Sequence, residues 1–258
     1  MSSDPSPWIA TLRRSHDQVA ARATGLDGEG LRHDSYCTGW DVAQVLSHLG
    51  SQAEMFGMML SAGLSGEEPP GQDAFPPIWE AWNARAPEAQ ARDSVAANEA
   101  LVGRLETLDP EQTRSFHVSA FRRELDLAGL LQLRLSEHAI HAWDIEVSFS
   151  PGATVLPGAV ELLVDYLPAM AARVGKPNQK ATTLQVLTSE PERRFALVTD
   201  GVRLEPWSEQ TASGTLRIPA EALLRLVYGR LDPAHTPALE LDAPDGSLDD
   251  LRATFPGF

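Results

Sequence analysis

The chain has 258 residues, enough for one large domain or two ordinary ones, and 43% of them are hydrophobic, which is typical of a globular protein with a core. Its net charge of -15 argues against nucleic-acid binding, because acidic surfaces repel phosphate backbones. We see neither a membrane-spanning apolar run nor a secretory signal at the start, and Cys37 is the single cysteine. We therefore expect a cytoplasmic protein without a disulfide and without a membrane partner.

Four stretches with apolar residues at helical spacing predict an N-terminal four-helix bundle. The second stretch is expected to start at Thr38 or Gly39, with Asp41 in its first turn, where the helix dipole favours a carboxylate. In the third, Pro87 marks either a kink or the true start of the helix. The four stretches are residues 6–26, 35–63, 79–108 and 126–149.

The pattern changes at about residue 157, where a helix is followed by short segments of alternating polarity. The sequence Thr199-Asp200-Gly201 inside the second alternating segment predicts a hairpin turn. The mixture of short strands and helices predicts a smaller α+β domain. The fold class is therefore α plus α+β, with a helical bundle over residues 1–151 and an α+β domain over residues 152–258. The predicted elements are helices at 157–175, 220–230 and 247–255 and strands at 182–189, 193–207, 213–219 and 237–243.

The fourth helical stretch contains RLSEHAIHAWDIE, in which several ionisable groups share one side of a leucine-rich helix. At about 100° per residue, Glu137 and His141 lie about 40° apart, Asp144 lies close to Glu137, and His138 points elsewhere. Burying a carboxylate and an imidazole costs several kcal/mol unless they are paired or bind a metal. Two interpretations stay open: a core pair of Glu137 with His141 or Arg134, or a metal site completed from another helix.

His48 is the best candidate for a third ligand, because it lies at helical spacing from Trp40 and Met55 in the second stretch. A lone histidine on an apolar face is also compatible with an ordinary core residue. Nitrogen and oxygen ligands without a thiolate suit Zn²⁺. Cys37 is interpreted as a buried small residue, with a redox role as the alternative. The weaker histidines lie in polar or connecting segments and are His16, His33, His117 and His235.

Three motifs occur in a fixed order along the chain: TGWDVAQVLSHL, then RLSEHAIHAWDIE about 90 residues later, and LLRLVYGRLDP in the second domain. Together they resemble the mycothiol-dependent maleylpyruvate isomerase family. Each motif alone is weak, but their order and separation cover nearly the whole chain and are typical of the family. The resemblance implies a DinB-like metal-binding bundle and a domain similar to sterol-carrier proteins. It implies Zn²⁺ held by His48, Glu137 and His141 with one open position, and mycothiol, a sugar thiol, as cosubstrate.

The implied chemistry is addition of a zinc-activated thiolate to an electrophilic small molecule. Rotation and elimination after addition give a maleylpyruvate-type cis–trans isomerase, whereas departure of another group gives a mycothiol S-transferase. The sequence leaves two further classes open. One is a zinc hydrolase that uses metal-bound water, and the other is a non-catalytic small-molecule or lipid-binding protein. The chain is expected to act as a monomer or a homodimer.

Two residues are expected to assist catalysis. Asp144 either holds the imidazole of His141 or His48, as metal-bound histidines require, or caps a helix or pairs with Arg134. Arg230 follows a helix that ends at Gly229, and the resemblance implies that it faces the metal cleft. An acidic protein needs such a cation to bind a carboxylate-bearing electrophile and to stabilise enolate charge. The alternative is a surface arginine at a helix C-terminus.

The glycine- and proline-rich loop GLSGEEPPGQDAFPP is long for a connection between bundle helices. We expect it to lie near the open end of the metal cavity and to contribute to substrate choice. The alternative is a solvated connector without a role in binding.

Overall fold

Helices dominate the chain as far as Glu146, and a β-sheet follows from Thr183. The structure is a computed structural model, and it describes residues 4–177, 182–209, 211–244 and 246–257. The chain divides into two units, Met1–Ala153 and Thr154–Phe258. The first is helical and the second combines a sheet with helices, which confirms the predicted α plus α+β fold class. None of the described helices is long and apolar enough to cross a lipid bilayer.

Four long helices form the first unit, and each packs against two of the others. Counted in chain order, the first and the second long helix each pack against the third and the fourth. Leucines at helical spacing, such as Leu12, Leu46 and Leu135, are fully buried between the helices and stabilise the unit by roughly 1.5–3 kcal/mol each. The long helices are α1 (Ser6–Gly25), α3 (Val42–Ser65), α5 (Pro87–Glu106) and α7 (Leu127–Glu146), and the short ones are α2 (Gly28–Leu31), α4 (Phe75–Asn83) and α6 (Pro110–Ser115).

The start of α3 differs from the predicted one. The Asp41 carboxylate accepts a hydrogen bond from the Gln44 N–H at 2.8 Å, and the Gln44 side chain accepts from the Asp41 N–H at 2.9 Å. This reciprocal capping box satisfies two N–H groups that the first turn leaves without a helical partner. The helix therefore begins after Asp41, and the predicted start at Thr38 or Gly39 is wrong.

The third predicted stretch is divided into α4 and α5. Helix α4 ends at Asn83, and Pro87 occupies the first turn of α5, where its missing N–H costs no hydrogen bond. Of the two interpretations of Pro87, the true start of a helix is confirmed. The connection between α3 and α4 is also shorter than predicted, because α3 continues to Ser65 and α4 already begins at Phe75.

A hairpin that the sequence did not predict precedes α7. Strands β1 (Val118–Ala120) and β2 (Arg123–Leu125) pair in antiparallel register. Phe121 and Arg122 connect them with positive φ angles of 53° and 60°. Such two-residue turns usually contain Asn-Gly or Asp-Gly, so Phe-Arg carried no recognisable turn signal.

The second unit is built on a five-stranded sheet in the order β5-β4-β3-β6-β7. The pair β3–β6 is parallel, and the other pairs are antiparallel. The predicted hairpin around Thr199-Asp200-Gly201 is confirmed as the connection between β4 and β5. The strands are β3 (Thr183–Ser189), β4 (Arg194–Val198), β5 (Arg203–Pro206), β6 (Gly214–Pro219) and β7 (Glu240–Asp242).

Helices of the second unit are shorter than their predicted ranges. The single helix expected over 157–175 is interrupted by the 3-10 turn Val164–Tyr166, and Pro168 lies in the first turn of the next helix. Helix α10 ends at Val227, after which Gly229 has a φ of 73°, a left-handed conformation that favours glycine. The helices are α8 (Pro157–Leu163), α9 (Leu167–Val174), α10 (Ala220–Val227) and α11 (Leu248–Thr254).

Candidate metal centre

Helices α3 and α7 bring His48, Glu137 and His141 together. Oε2 of Glu137 lies 3.4 Å from Nε2 of His48 and 3.8 Å from Nε2 of His141. One potential ligand atom from each residue lies within 4.8 Å of the other two. Ligand atoms about 2.1 Å from a tetrahedral Zn²⁺ are separated by about 3.4 Å. The three side chains can therefore hold one metal ion after small movements.

The hydrogen bonds around these residues direct lone pairs toward a common point. Nδ1 of His141 lies 2.9 Å from Oδ2 of Asp144 and donates its proton there, so Nε2 carries a lone pair that faces Glu137. On the other helix, the Gln52 amide donates to Nε2 of His48 at 3.0 Å and to Oε2 of Glu137 at 2.8 Å. Two imidazole lone pairs and a carboxylate thus converge, an arrangement that a bound cation stabilises.

The protonation states also suit metal binding. Burial lowers the pKa of His48, against the opposing effect of Glu137, so that the imidazole is neutral at neutral pH. Burial opposes ionisation of Glu137, but the hydrogen bonds of its carboxylate and the adjacent imidazoles outweigh burial and lower its pKa to about 2. Metal ligands must be deprotonated, and His48 and Glu137 already are. The Glu137 side chain is 36% exposed, which leaves the site accessible from one side.

Asp144 is fully buried, and its Oδ2 lies beside the His141 imidazole, as one of the two predicted alternatives requires. Arg134 is also buried, and it donates to the Leu49 carbonyl at 3.2 Å and to the Asn98 side chain. Burial lowers the pKa of Arg134 to about 10, which still leaves a positive charge at neutral pH.

Two residues near the centre were missed by the sequence interpretation. Gln52 lies one helical turn after His48 and bridges it to Glu137. Cys37 is half-buried rather than buried, and its Sγ lies 3.1 Å from Oδ2 of Asp144. Because Cys37 and Asp144 are 107 residues apart, no local pattern indicated their contact. The thiol, His141 and Asp144 form a second group with metal-ligand spacing.

His138 and Arg230 lie outside the group of three potential ligands. His138 is fully buried and its Nδ1 lies 2.8 Å from the Ser15 hydroxyl of α1, in keeping with its predicted direction away from Glu137. Arg230 follows α10 in the second unit and is half-buried. Its Nη1 donates to the Tyr228 carbonyl at 2.7 Å. Its role toward a substrate stays a prediction.

These features define a two-domain protein whose helical domain carries a candidate metal site. The sequence model of the mycothiol maleylpyruvate isomerase N-terminal domain matches residues 12–146, and that of the C-terminal domain of the same family matches residues 157–250. The chain therefore belongs to the mycothiol maleylpyruvate isomerase family, which is a family of enzymes, and the predicted resemblance is confirmed.

Solved structures show the same fold. The crystal structure of the mycothiol-dependent maleylpyruvate isomerase superposes with a TM-score of 0.67 at 15% identity and covers 88% of this chain and 90% of that chain. The structure of a histidine-to-alanine mutant of that isomerase gives the same values. At this identity the likeness concerns the fold. No curated protein matches the sequence at a significant level.

Proposed function

We propose that the chain is a zinc-dependent enzyme that activates mycothiol for addition to an electrophilic small molecule. The observation that carries the proposal is the convergence of the lone pairs of His48 and His141 with the Glu137 carboxylate. Two nitrogens and one oxygen from the protein, with one side accessible, match the three-ligand sites of catalytic zinc. Membership in the mycothiol maleylpyruvate isomerase family supports the thiol and the reaction class.

In this function the protein positions each participant. Zn²⁺, when bound, lowers the pKa of a coordinated thiol so that it loses its proton at neutral pH. His48 and His141 are ligands in their neutral form, and Glu137 supplies one negative charge. Asp144 holds the His141 ring with Nε2 toward the site. We assign to Arg230 the binding of a substrate carboxylate and the stabilisation of enolate charge, which its planar guanidinium suits.

The fate of the adduct decides between two reactions. Addition of the thiolate to an electron-poor C=C bond leaves a single bond about which the substrate can rotate. Elimination of the same thiol then gives a cis–trans isomer, the reaction that the family name describes. Loss of a different leaving group makes the enzyme an S-transferase. We place the enzyme in the cytoplasm, where thiols are kept reduced.

Metal analysis and calorimetry test the proposal. Purified protein should contain one zinc per chain, and mycothiol should bind to the zinc form and not to the metal-free form. Replacing His48, Glu137 or His141 with alanine should remove most of the zinc, whereas His33→Ala, at an exposed histidine, should keep it. Full zinc occupancy in all three ligand variants would reject the site. Turnover that needs no thiol would identify a hydrolase instead.

A further inference from the structure

An aromatic pocket of about 330 Å³ opens beside His48, within the helical unit. Its volume lies at the lower end of the range for small-molecule sites. The residues that line it come from the segment just before α3, from the first turns of α3 and from α4. They are Trp40, Gln44, His48, Ser51, Trp79 and Asn83.

Two tryptophans give this pocket apolar walls that water can reach. Trp40 and Trp79 are 38% and 41% exposed, whereas Trp8, Trp82 and Trp143 are each less than 5% exposed. Leaving an indole in water forgoes the stabilisation that its burial provides, and large exposed aromatic surfaces are typical of binding sites. The two indoles therefore offer an apolar surface that a ligand can cover.

Neutral hydrogen-bonding groups lie next to the indoles. Oδ1 of Asn83 accepts from the Ser47 hydroxyl at 3.1 Å, and Oε1 of Gln44 accepts from the Asp41 N–H at 2.9 Å. These bonds orient both side-chain amides, because each amide oxygen already accepts a hydrogen bond. The NH₂ group of each amide can then donate to a ligand. A ligand here meets two flat apolar faces and two uncharged donors.

We propose that this pocket binds the sugar moiety of the thiol cosubstrate. A sugar ring has apolar C–H faces that pack on indoles and hydroxyl oxygens that accept from amides. The lining carries no lysine, arginine or carboxylate, so a carboxylate-bearing electrophile would find no countercharge in it. Trp40 contacts His48 with a ring-centroid distance of 5.5 Å, which places the pocket beside the proposed thiol site. The inference rests on the proposed function.

The test compares two thiols on zinc-loaded protein by calorimetry. Mycothiol carries the sugar, and N-acetylcysteine carries a similar thiol without it. Trp79→Ala is the informative variant, because Trp79 lies on α4 whereas Trp40 contacts a proposed ligand. It should weaken mycothiol binding on the order of tenfold, since an indole loses much of its apolar contact. N-acetylcysteine binding should stay the same.

Two further variants sharpen the comparison. Asn83→Ala should weaken mycothiol binding about fivefold, which corresponds to one ordinary hydrogen bond, and should leave N-acetylcysteine binding unchanged. Phe121→Ala removes an aromatic side chain that is 48% exposed on the β1–β2 hairpin, and it should change neither affinity. Zinc content and circular dichroism show whether each variant has kept its fold.

Three other results would contradict this inference or the function on which it rests. Unchanged mycothiol affinity in Trp79→Ala would overturn the assignment of the pocket while leaving the thiol site intact. Equal weakening of both thiols would also overturn it, because the pocket would then act on the sulfur-bearing part that both share. If neither thiol binds to the wild-type zinc protein, the proposed function itself is rejected.

Discussion

Replacing Asp144 with asparagine tests how the His141 imidazole is held. The carboxylate is fully buried, and Oδ2 lies 2.9 Å from Nδ1 of His141. Asparagine has nearly the same size, so packing is kept, but the carboxylate that accepts the imidazole N–H is replaced by a weaker amide acceptor. Changes of this kind next to ligand histidines reduce metal affinity about 10–100-fold, or by about 1.4–2.7 kcal/mol. Because solvent does not reach the carboxylate, we expect the upper half of this range.

Competition with a chromophoric zinc chelator measures this change as a ratio of zinc Kd values. Asp17→Asn is a matched control, because Asp17 is 59% exposed on α1 and makes a contact of 3.5 Å with Arg13. Its zinc Kd should stay within about twofold of wild type, as surface ion pairs contribute little. An unchanged zinc Kd in Asp144→Asn would refute the reasoning that Asp144 orients His141.

Three further predictions concern other parts of the chain. Arg230→Lys should lose activity while zinc content and mycothiol affinity stay near wild type, and normal turnover would show that Arg230 has no catalytic role. Gly50→Ala should lower the free energy of unfolding by about 1–3 kcal/mol, because the new Cβ would lie 2.2 Å from the Trp82 ring; an unchanged denaturation midpoint contradicts this. Burial lowers the pKa of His16, so the neutral imidazole is favoured in the folded state. This contribution to stability is complete above pH ~6.5 and is lost as the pH falls toward the folded pKa. Over that range the free energy of unfolding decreases by up to about 1.4 kcal/mol per pH unit. His16→Gln should flatten this pH dependence and exposed His117→Gln should not; identical slopes would disprove the assignment.

The sequence alone determined the features that depend on near neighbours. Helical periodicity placed Glu137, His141 and Asp144 on one side of α7, and the structure has them so, because residues three and four apart share a helix face. Alternating polarity and the Asp200-Gly201 turn located β4 and β5 for the same local reason. The choice of His48 as third ligand needed the family resemblance, since its spacing alone favoured an ordinary core residue.

Tertiary structure decided the contacts between segments that are distant in the chain. It brought Gln52 of α3 to Glu137 of α7 and placed the Cys37 thiol on Asp144. It also selected His141 as the partner of Asp144, an alternative that periodicity had left open. The periodicity of side chains predicts which face of a helix a residue occupies. The packing of helices against each other determines which faces meet and at what distance. The pairing of α3 with α7, and with it the candidate metal centre, is therefore a property of the folded chain.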